Sequence, residues 1–263
     1  MTQDFWILLR SDAHHDNPKC NQKLEKRHLQ QAKERNAFIL DNGDLFCAMQ
    51  GKYDKRASKD AIRPEHQNGE YLDALVEEAT DFYRPYLANF GLIGQGNHET
   101  KILKNHETNL SKRLVENLQK LGSPVQLSGY SGWVKFQFTV SQTRRHCKVL
   151  HHYHGTGGGG PVTRGVIQTN RMAVYTPDAD ILFTGHTHDE WVVTIARQRL
   201  SNKGFVFRDE AVHCRAPGYK DAWGSGYGGW EVETGKGPKP IGSLWCRFYY
   251  EDDQMKFEIT KAK

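Results

Sequence analysis

The sequence lacks the features of secreted and membrane proteins. Its five cysteines are odd in number and have no CxxC spacing, which argues against a disulfide framework and against a structural zinc knuckle. No stretch approaches the ~20 apolar residues that a membrane-spanning helix needs, and Met1–Arg10 lack the apolar segment of a signal peptide. We therefore predict a cytoplasmic protein without a membrane partner.

Positive charge is only slightly in excess of negative charge. The 36 Lys and Arg residues exceed the 31 Asp and Glu residues, for a formal net charge of +5 in 263 residues. This surplus permits a phosphate-rich partner such as nucleic acid without requiring one. Five basic residues lie close together in a stretch that has no apolar periodicity: Lys52, Lys55, Arg56, Lys59 and Arg63. A solvated insertion loop over about residues 48–68 is the first interpretation, and a nucleic-acid contact near the site is the second.

Short apolar runs alternate with amphipathic segments in the first half of the chain. The runs cover residues 5–9, 37–40 and 90–93, which is typical of buried strands. Between them, residues 24–36 and 70–88 carry apolar side chains at helical spacing. Strand, helix and strand in this order predict parallel βαβ units.

The second half of the chain has a different pattern. Residues 132–140 and 147–153 alternate apolar and polar side chains on either side of a basic turn, which predicts an antiparallel hairpin. Residues 181–183 form a further apolar run. The tail from Trp191 to Phe257 also alternates, as a second sheet packed on the first would.

The most informative feature is a set of five polar blocks, each at a predicted strand end. In order they are Asp12-Ala13-His14, Gly43-Asp44, Gly96-Asn97-His98-Glu99, His154-Gly155 and Gly185-His186-Thr187-His188. They supply imidazoles, two carboxylates and an amide oxygen, a ligand set that suits two divalent transition metals rather than one. Paired metals point first to phosphoester chemistry.

In this order, the blocks resemble the pattern of the calcineurin-like metallophosphoesterase superfamily: D-x-H, G-D, G-N-H-[ED], a lone His and G-H-x-H. A single block arises easily by chance, but the ordered set does not. The resemblance implies an α/β fold, a sandwich of two mixed β-sheets flanked by helices with a βαβαβ core. Because the blocks at residues 12 and 188 must meet at one site, we expect a single domain over residues 1–263.

The resemblance also implies a ligand for each position. In the superfamily pattern, Asp12, His14 and His188 complete one metal, and Asn97, His154 and His186 complete the other. Asp44 would bridge the two, since a carboxylate has two oxygens and can hold cations ~3.5–4 Å apart. Manganese is the first expectation, with iron, zinc, nickel and cobalt as alternatives. The nucleophile implied is metal-bound hydroxide.

His98 follows a ligand but is not one in the superfamily, where it acts on the leaving-group side as a general acid. With Asp44, it is therefore a predicted catalytic residue. Imidazole suits the role because it titrates near neutrality. Glu99 would orient His98, and it is also expected to cap a following helix around Leu103–Leu118.

Several neighbouring residues leave alternatives open. In the fourth block, His152 and His154 share one face of a strand, so His152 is the second choice to His154. Asp189 is either a support for a ligand imidazole or a plain turn residue. His15 adjoins His14 but would point away from it in an extended turn, so we leave it out of the ligand set.

Departures from the superfamily pattern bear on the substrate. Protein phosphatases of this superfamily carry G-D-x-x-D-R-G, whereas here Gly43-Asp44 is followed by Leu45-Phe46-Cys47. The missing Arg favours a phosphodiesterase or nuclease, with a phosphomonoesterase and a non-catalytic binding module as alternatives. The expected partner is a phosphoester substrate, with nucleic acid and nucleotides as candidates.

The region from the fourth block onward is similar to metallophosphoesterases encoded by bacteriophages and prophages. The similarity covers the glycine run after His154, the segment Pro177–Asp180, the fifth block and Pro240-Ile241-Gly242. It would place the protein in a bacterial or phage-infected cell. A loop at about residues 215–240 has aromatic residues among glycines: Tyr219, Trp223, Tyr227 and Trp230. It is either a lid that stacks on a base or an ordinary cover.

Overall fold

The chain forms eleven strands and six helices in the part that the structure describes. The structure is a computed structural model, and it describes residues 4–49, 62–158, 160, 162–224 and 230–263. The strands are β1 (Phe5–Arg10), β2 (Phe38–Asp41), β3 (Phe90–Ile93), β4 (Gln126–Leu127), β5 (Ser131–Thr139), β6 (Arg145–Tyr153), β7 (Ile181–Thr184), β8 (Trp191–Leu200), β9 (Val206–Arg215), β10 (Leu244–Glu251) and β11 (Gln254–Lys261). The helices are α1 (Gln22–Glu34), α2 (Tyr71–Tyr83), α3 (Asn97–His106), α4 (Leu110–Lys120), α5 (Val166–Tyr175) and α6 (Trp230–Glu233).

The strands form two mixed sheets. One has the order β11-β10-β1-β2-β3-β4 and the other has the order β5-β6-β7-β9-β8. In the first sheet, β1, β2 and β3 pair in parallel because α1 and α2 cross between them. In the second, β5 and β6 form the expected antiparallel hairpin, and β6, β7 and β9 are parallel. The predicted α/β sandwich with a βαβαβ core is confirmed.

The prediction for the tail is wrong at its C-terminal end. Of the segment expected to form the second sheet, only β8 and β9 lie there, while β10 pairs antiparallel with β1 in the first sheet. The reason is that β10 is apolar on both faces. Trp245 packs toward the helices, whereas Cys246 and Phe248 pack toward the second sheet. A strand buried on both faces belongs in the middle of a sandwich rather than at an outer layer.

Alternate residues of β1 pack into two different cores. Leu8 packs with Leu75 between the first sheet and the helices. Ile7 and Leu9 pack with Phe183 between the two sheets. These three β1 side chains are at most 1% exposed, and full burial of such a side chain contributes ~1.5–3 kcal/mol. The two cores hold β1 firmly, and with it the first polar block at its end.

Two predicted helices are shorter than expected. The helix expected over residues 70–88 ends at Tyr83 and continues as a 3₁₀ helix, Arg84–Asn89, because Pro85 has no N–H for a helical hydrogen bond. The helix expected around Leu103–Leu118 is two helices, α3 and α4. They are separated at Glu107, which is left-handed with φ of 55°. Among the described residues, no helix has the length and apolar character to cross a membrane.

Candidate metal centre

The five polar blocks meet at one edge of the sandwich, where loops from both sheets are joined by backbone hydrogen bonds. The N–H of Asp12 donates to the carbonyl of Gly43 at 2.9 Å, and the N–H of His14 donates to the carbonyl of Asp44 at 3.0 Å. In the second sheet, the N–H of Gly185 donates to the carbonyl of His154 at 2.9 Å. The two sheets are linked because the Asp12 carboxylate accepts from the N–H of His186 at 2.8 Å.

The first cluster consists of Asp12, His14 and His188. The Nε2 atoms of the two imidazoles lie 3.2 Å apart, and their rings are stacked at 5.1 Å between centroids. Asp12 Oδ1 lies 3.5 Å from His188 Nε2 and 4.0 Å from His14 Nε2. These are the three residues that the superfamily pattern assigns to one metal, and one atom of each lies within 4.8 Å of the others.

The second cluster consists of Asp44, Asn97, His154 and His186. Asn97 Oδ1 lies 2.7 Å from His186 Nδ1 and 3.2 Å from His154 Nε2. Asp44 Oδ2 lies 3.2 Å from the same His154 Nε2. The structure therefore brings together all seven side chains predicted as ligands, in the two groups that the pattern assigns.

Much of the backbone that carries these side chains is left-handed, a conformation that side chains other than glycine rarely adopt. Five of the seven predicted ligands have positive φ: Asp12 (53°), His14 (46°), Asp44 (50°), His186 (73°) and His188 (56°). Each such residue costs of order 1–3 kcal/mol and persists only where the surroundings hold it. Such conformations concentrate at functional sites, so the strain itself marks this edge of the sandwich.

Two glycines allow the loops to approach so closely. A Cβ on Gly96 would lie 2.0 Å from Asp44 Oδ1, and a Cβ on Gly185 would lie 2.0 Å from Ser11 Oγ and 2.5 Å from Asp12 Oδ2. Any larger residue at either position would displace a predicted ligand carboxylate. The glycines of the G-N-H-E and G-H-T-H blocks therefore serve close packing of the ligand loops.

The donor set fits two divalent cations. Asp12 Oδ1 is buried without a hydrogen-bond donor of its own. Burial opposes a charge on either partner of the Asp44 and His154 pair. The Asp44 carboxylate nevertheless raises the pKa of His154 to about 10, and the imidazoles around Asp44, His154 first, hold the pKa of Asp44 well below its usual range. The pair thus attracts positive charge, whether a proton or a metal ion. Two carboxylates balance only half of the charge of two divalent cations, so the loaded site stays positive toward an anion.

His98 lies beside both clusters and joins neither. Its Nδ1 lies 2.5 Å from the carbonyl oxygen of Cys47, so Nδ1–H donates there. This contact leaves Nε2 facing the site, 3.8 Å from Asp44 Oδ2, and the ring lies 4.8 Å from that of His14 between centroids. The Cys47 thiol adjoins the same two imidazoles, and burial raises its pKa to about 12, so it is uncharged at neutral pH. The geometry thus turns the second ring nitrogen of His98 toward the two clusters.

The expectation that Glu99 orients His98 is wrong. The Glu99 carboxylate accepts from the backbone N–H groups of Asp44 at 3.0 Å, Phe46 at 2.9 Å and Gly96 at 2.8 Å. The last of these contacts is the helix-capping role expected for it at the start of α3. Burial and the charge of Asp44 raise the pKa of Glu99 to about 8, although the N–H groups of Phe46 and Gly96 favour the carboxylate. Glu99 thus fixes the loop that carries Asp44, and the Cys47 carbonyl orients His98.

His152 and His154 have different surroundings. His154 donates from Nδ1 to the carbonyl of Asn42 at 2.9 Å and turns Nε2 to the second cluster. His152 is fully buried, and both of its ring nitrogens have partners outside the cluster. Ser128 Oγ and Asn42 Oδ1 each lie 2.8 Å away. The structure thus groups His154 rather than His152 with the other predicted ligands, and Asn42 supports both imidazoles.

A buried ionic network behind the first cluster was not found from the sequence. Because Asp12 and His14 are left-handed, the turn is not extended, and His15 points inward to Glu25 at 2.9 Å and Glu78 at 2.9 Å. Burial disfavours the imidazolium, but Glu25 and Glu78 raise the pKa of His15 to about 9. Arg10 pairs with Glu25 at 2.8 Å and with Asp41 at 2.7 Å. These pairs stabilise the ends of β1 and β2. The sequence did not predict them, because single charged residues next to apolar runs do not show which residues they pair with.

Several other predictions concern the surroundings of the site. Asp189 accepts from Lys239 Nζ at 2.6 Å, so its described ion pair is with a lysine rather than a ligand imidazole. Tyr219 is fully buried, with its hydroxyl 3.0 Å from His28 Nδ1, and therefore does not stack on a base. Trp223 donates from Nε1 to the carbonyl of Lys236 at 3.0 Å. Outside the described part lie four of the basic residues (Lys52, Lys55, Arg56 and Lys59), Tyr227 and the side chain of Trp230.

Comparison with known proteins gives weak likenesses only. No protein-family model matches the chain, and no curated protein matches it. It is similar to the solved structure of Vacuolar Protein Sorting 29 from Cryptosporidium parvum, at 13% identity and TM-score 0.42, over 99% of each chain. It is similar to the calcineurin-like phosphoesterase YfkN from Bacillus subtilis, at 12% identity and TM-score 0.42, over 98% of this chain and 90% of that one. It is also similar to GAP50, the anchor in the inner membrane complex of Plasmodium, at 13% identity and TM-score 0.45, over 99% of this chain and 85% of that one. TM-scores this low do not establish a shared fold, so the architecture rests on the two sheets themselves.

Proposed function

We propose that the chain is a two-metal phosphoester hydrolase of the calcineurin-like metallophosphoesterase superfamily, and that its substrates are phosphodiesters. The observation that carries the proposal is the grouping of seven oxygen and nitrogen ligands, drawn from five loops, into two adjacent clusters. Left-handed backbone at five of these seven residues supports it, since such strain is concentrated at functional sites.

Each cluster residue then has a distinct task. Asp12, His14 and His188 would hold one divalent cation, and Asn97, His154 and His186 would hold the other, with Asp44 as a ligand to both. When bound, such a metal pair polarises a phosphoryl oxygen and lowers the pKa of water. His98 gives the proton on Nε2 to the leaving-group oxygen as the P–O bond breaks, and the Cys47 carbonyl keeps the ring in place for it.

The second polar block supports a diester rather than a monoester. In the G-D-x-x-D-R-G form, an acid and an arginine would occupy positions 47 and 48, where this chain has Cys47 and Ala48, each 2% exposed. Neither side chain carries a charge toward the phosphate. A phosphodiester has one negative charge less than the fully ionised monoester, so it needs less cationic support.

The test is a paired hydrolysis assay on manganese-saturated protein. We expect two metal ions per chain by elemental analysis, and a higher kcat/KM for bis-p-nitrophenyl phosphate than for p-nitrophenyl phosphate. Asp44→Asn protein purified in parallel controls for contaminating phosphatases. A preference for the monoester would make the chain a phosphomonoesterase. Bound metals without hydrolysis of either ester would make it a binding module, and one ion or none would refute the dinuclear site.

Nucleic acid is one candidate diester partner, which the basic stretch permits. Four of its five basic residues lie outside the described part, but Arg63 is described, and its guanidinium donates to the carbonyl of His15 at 2.5 Å. Arg63, the last residue of the basic stretch, therefore lies next to the loop of the first cluster. Single- and double-stranded oligonucleotides in the same assay separate a nuclease from an enzyme for small diesters. Manganese as the native metal, a cytoplasmic location and a phage origin stay predictions.

A further inference from the structure

The carboxylate of Asp16 holds the backbone of the loop that follows the second polar block. Asp16 lies two residues after His14 and is 2% exposed. Its Oδ1 accepts from the N–H of Cys47 at 2.5 Å, and its Oδ2 accepts from the N–H of Ala48 at 2.9 Å. The hydroxyl of Tyr71 in α2 donates to the same Oδ2 at 3.3 Å. One buried side chain from the first loop therefore fixes two consecutive N–H groups of the second.

The peptide group between Cys47 and Ala48 connects this carboxylate to His98. Its N–H, on Ala48, donates to Asp16, and its carbonyl, on Cys47, accepts from His98 Nδ1–H at 2.5 Å. Linked hydrogen bonds polarise one another, so a peptide group that donates to an anion has a carbonyl that accepts more strongly. A hydrogen-bond chain thus runs from Asp16 through one peptide group to the His98 imidazole.

The backbone in the middle of this hydrogen-bond chain needs support. Ala48 is left-handed, with φ of 42°, a conformation that persists only where the surroundings hold it. The protein phosphatase pattern has an acid at position 47, whereas here a carboxylate reaches the backbone of that position from the first loop. Without the Asp16 carboxylate, the Cys47 carbonyl would lose its fixed direction, and the His98 ring would lose it too.

The direction of this ring matters for the proposed chemistry. A proton donor must lie within hydrogen-bond reach of the leaving-group oxygen. The contact at Nδ1 leaves Nε2 of His98 facing the site, 3.8 Å from Asp44 Oδ2. Because Nδ1 is the anchored end of the ring, a shift of the Cys47 carbonyl moves Nε2 relative to the two clusters.

We propose that Asp16 is a positioning residue for His98, acting through the peptide group between Cys47 and Ala48. The inference rests on the proposed phosphoesterase function and adds to it a residue that acts only through another. A purely structural carboxylate would affect folding or metal binding, whether or not His98 is present. A positioning residue lowers the rate of the chemical step, and only while His98 is there to be positioned.

The experiment is a double-mutant cycle on manganese-loaded protein with bis-p-nitrophenyl phosphate. We expect Asp16→Asn to lower kcat roughly 10–100-fold, because a misplacement of ~1 Å can cost about 100-fold. KM and the two bound ions stay unchanged. In the His98→Ala protein, the same substitution leaves kcat nearly unchanged, since residues that act as one unit are not additive.

Asp180→Asn is the matched control. The Asp180 carboxylate also accepts from a backbone N–H, that of Val149 at 2.8 Å, but Asp180 precedes β7 whereas the site lies beyond the other end of this strand. The substitution is the same and also removes a carboxylate that holds backbone. It leaves kcat unchanged.

A spectroscopic measurement tests the hydrogen-bond chain without turnover. In metal-free protein with isotope-labelled histidine, the NMR signal of the His98 Nδ1–H proton is assigned by its loss in His98→Ala. We expect Asp16→Asn to move this signal upfield and to speed its exchange with water, because the Cys47 carbonyl then accepts more weakly. Asp180→Asn leaves the signal in place.

The outcomes separate this inference from the proposed function. Equal losses of kcat from Asp16→Asn with and without His98, loss of bound metal, or an unchanged kcat overturn the role of Asp16 while wild-type hydrolysis stands. An unmoved NMR signal overturns the hydrogen-bond chain. If loaded wild-type protein cleaves no ester, the proposed function fails, and the positioning role fails with it.

A second variant covers the case in which Asp16→Asn does not fold. Tyr71→Phe removes one donor from the same carboxylate and takes the place of Asp16→Asn in the cycle. We expect kcat to fall roughly 2–5-fold, within the range for one hydrogen bond, and only while His98 is present. An equal fall in both backgrounds, or no fall in either, overturns the inference.

Discussion

Replacing His152 and His154 separately by alanine tests the assignment of the fourth block most directly. His154→Ala removes a nitrogen that lies 3.2 Å from both Asp44 and Asn97, so we expect the chain to bind one metal ion instead of two. The affinity of the second ion should fall by at least ~100-fold, since changes in supporting residues alone cost 10–100-fold. His152→Ala should leave two ions bound.

His152→Ala should keep both ions but lower the stability of the protein. His152 is fully buried, and its removal leaves Ser128 and Asn42 without their 2.8 Å partners and opens a cavity. The cost is about 3–5 kcal/mol from the orphaned groups and the lost packing. For a chain of this size, that free energy corresponds to a fall in Tm of roughly 6–20 °C. Elemental analysis and differential scanning calorimetry on the same samples give both quantities.

His151→Ala serves as the control, because His151 lies on the other face of β6, with its ring 4.6 Å from that of Trp133 between centroids. It should keep both ions and lose less stability than His152→Ala. Release of metal by His152→Ala with full retention by His154→Ala would refute the grouping of the second cluster.

The remaining predictions concern three other residues. Asp44→Asn should abolish turnover and weaken retention of both ions, because Asp44 lies between the clusters, and elemental analysis with the diester assay checks this. His98→Ala should keep both ions but slow hydrolysis roughly 10²–10⁴-fold, the usual contribution of a general acid, and loss of metal instead would make His98 a ligand. Glu99→Gln should cost about 1–3 kcal/mol, because an amide N–H then faces one of the backbone N–H groups that donate to the carboxylate, and an unchanged Tm would contradict this.

The candidate site was more predictable than its supports. The resemblance to the superfamily pattern implied the grouping of Asp12 with His188, although 176 positions separate them in the sequence. The choice of His154 over His152 left an alternative open, because both share a strand face, with His152 inside β6 and His154 one residue past its end.

Residues that act through backbone or through buried charge were missed. Glu99 was expected to contact its neighbour His98, but its partners are N–H groups, which carry no mark in a sequence. Asp41 and Glu25 pair with Arg10 inside the protein, where a sequence pattern shows only isolated charges. Trp245 was assigned to the wrong sheet because alternation of apolar residues identifies a strand without naming its neighbours.

The hydrogen bond between the Asp12 carboxylate and the His186 N–H has a consequence for how the protein matures. It spans 174 positions of the chain and joins the two sheets, so the pairing of the first and last blocks forms only once the sandwich has closed. Contacts of such separation form late in folding. Under the proposed function, metal would therefore bind the finished fold, and the chain would reach its native topology on its two apolar cores without it. Removing metal from the mature protein should accordingly lower its stability without erasing the sheets.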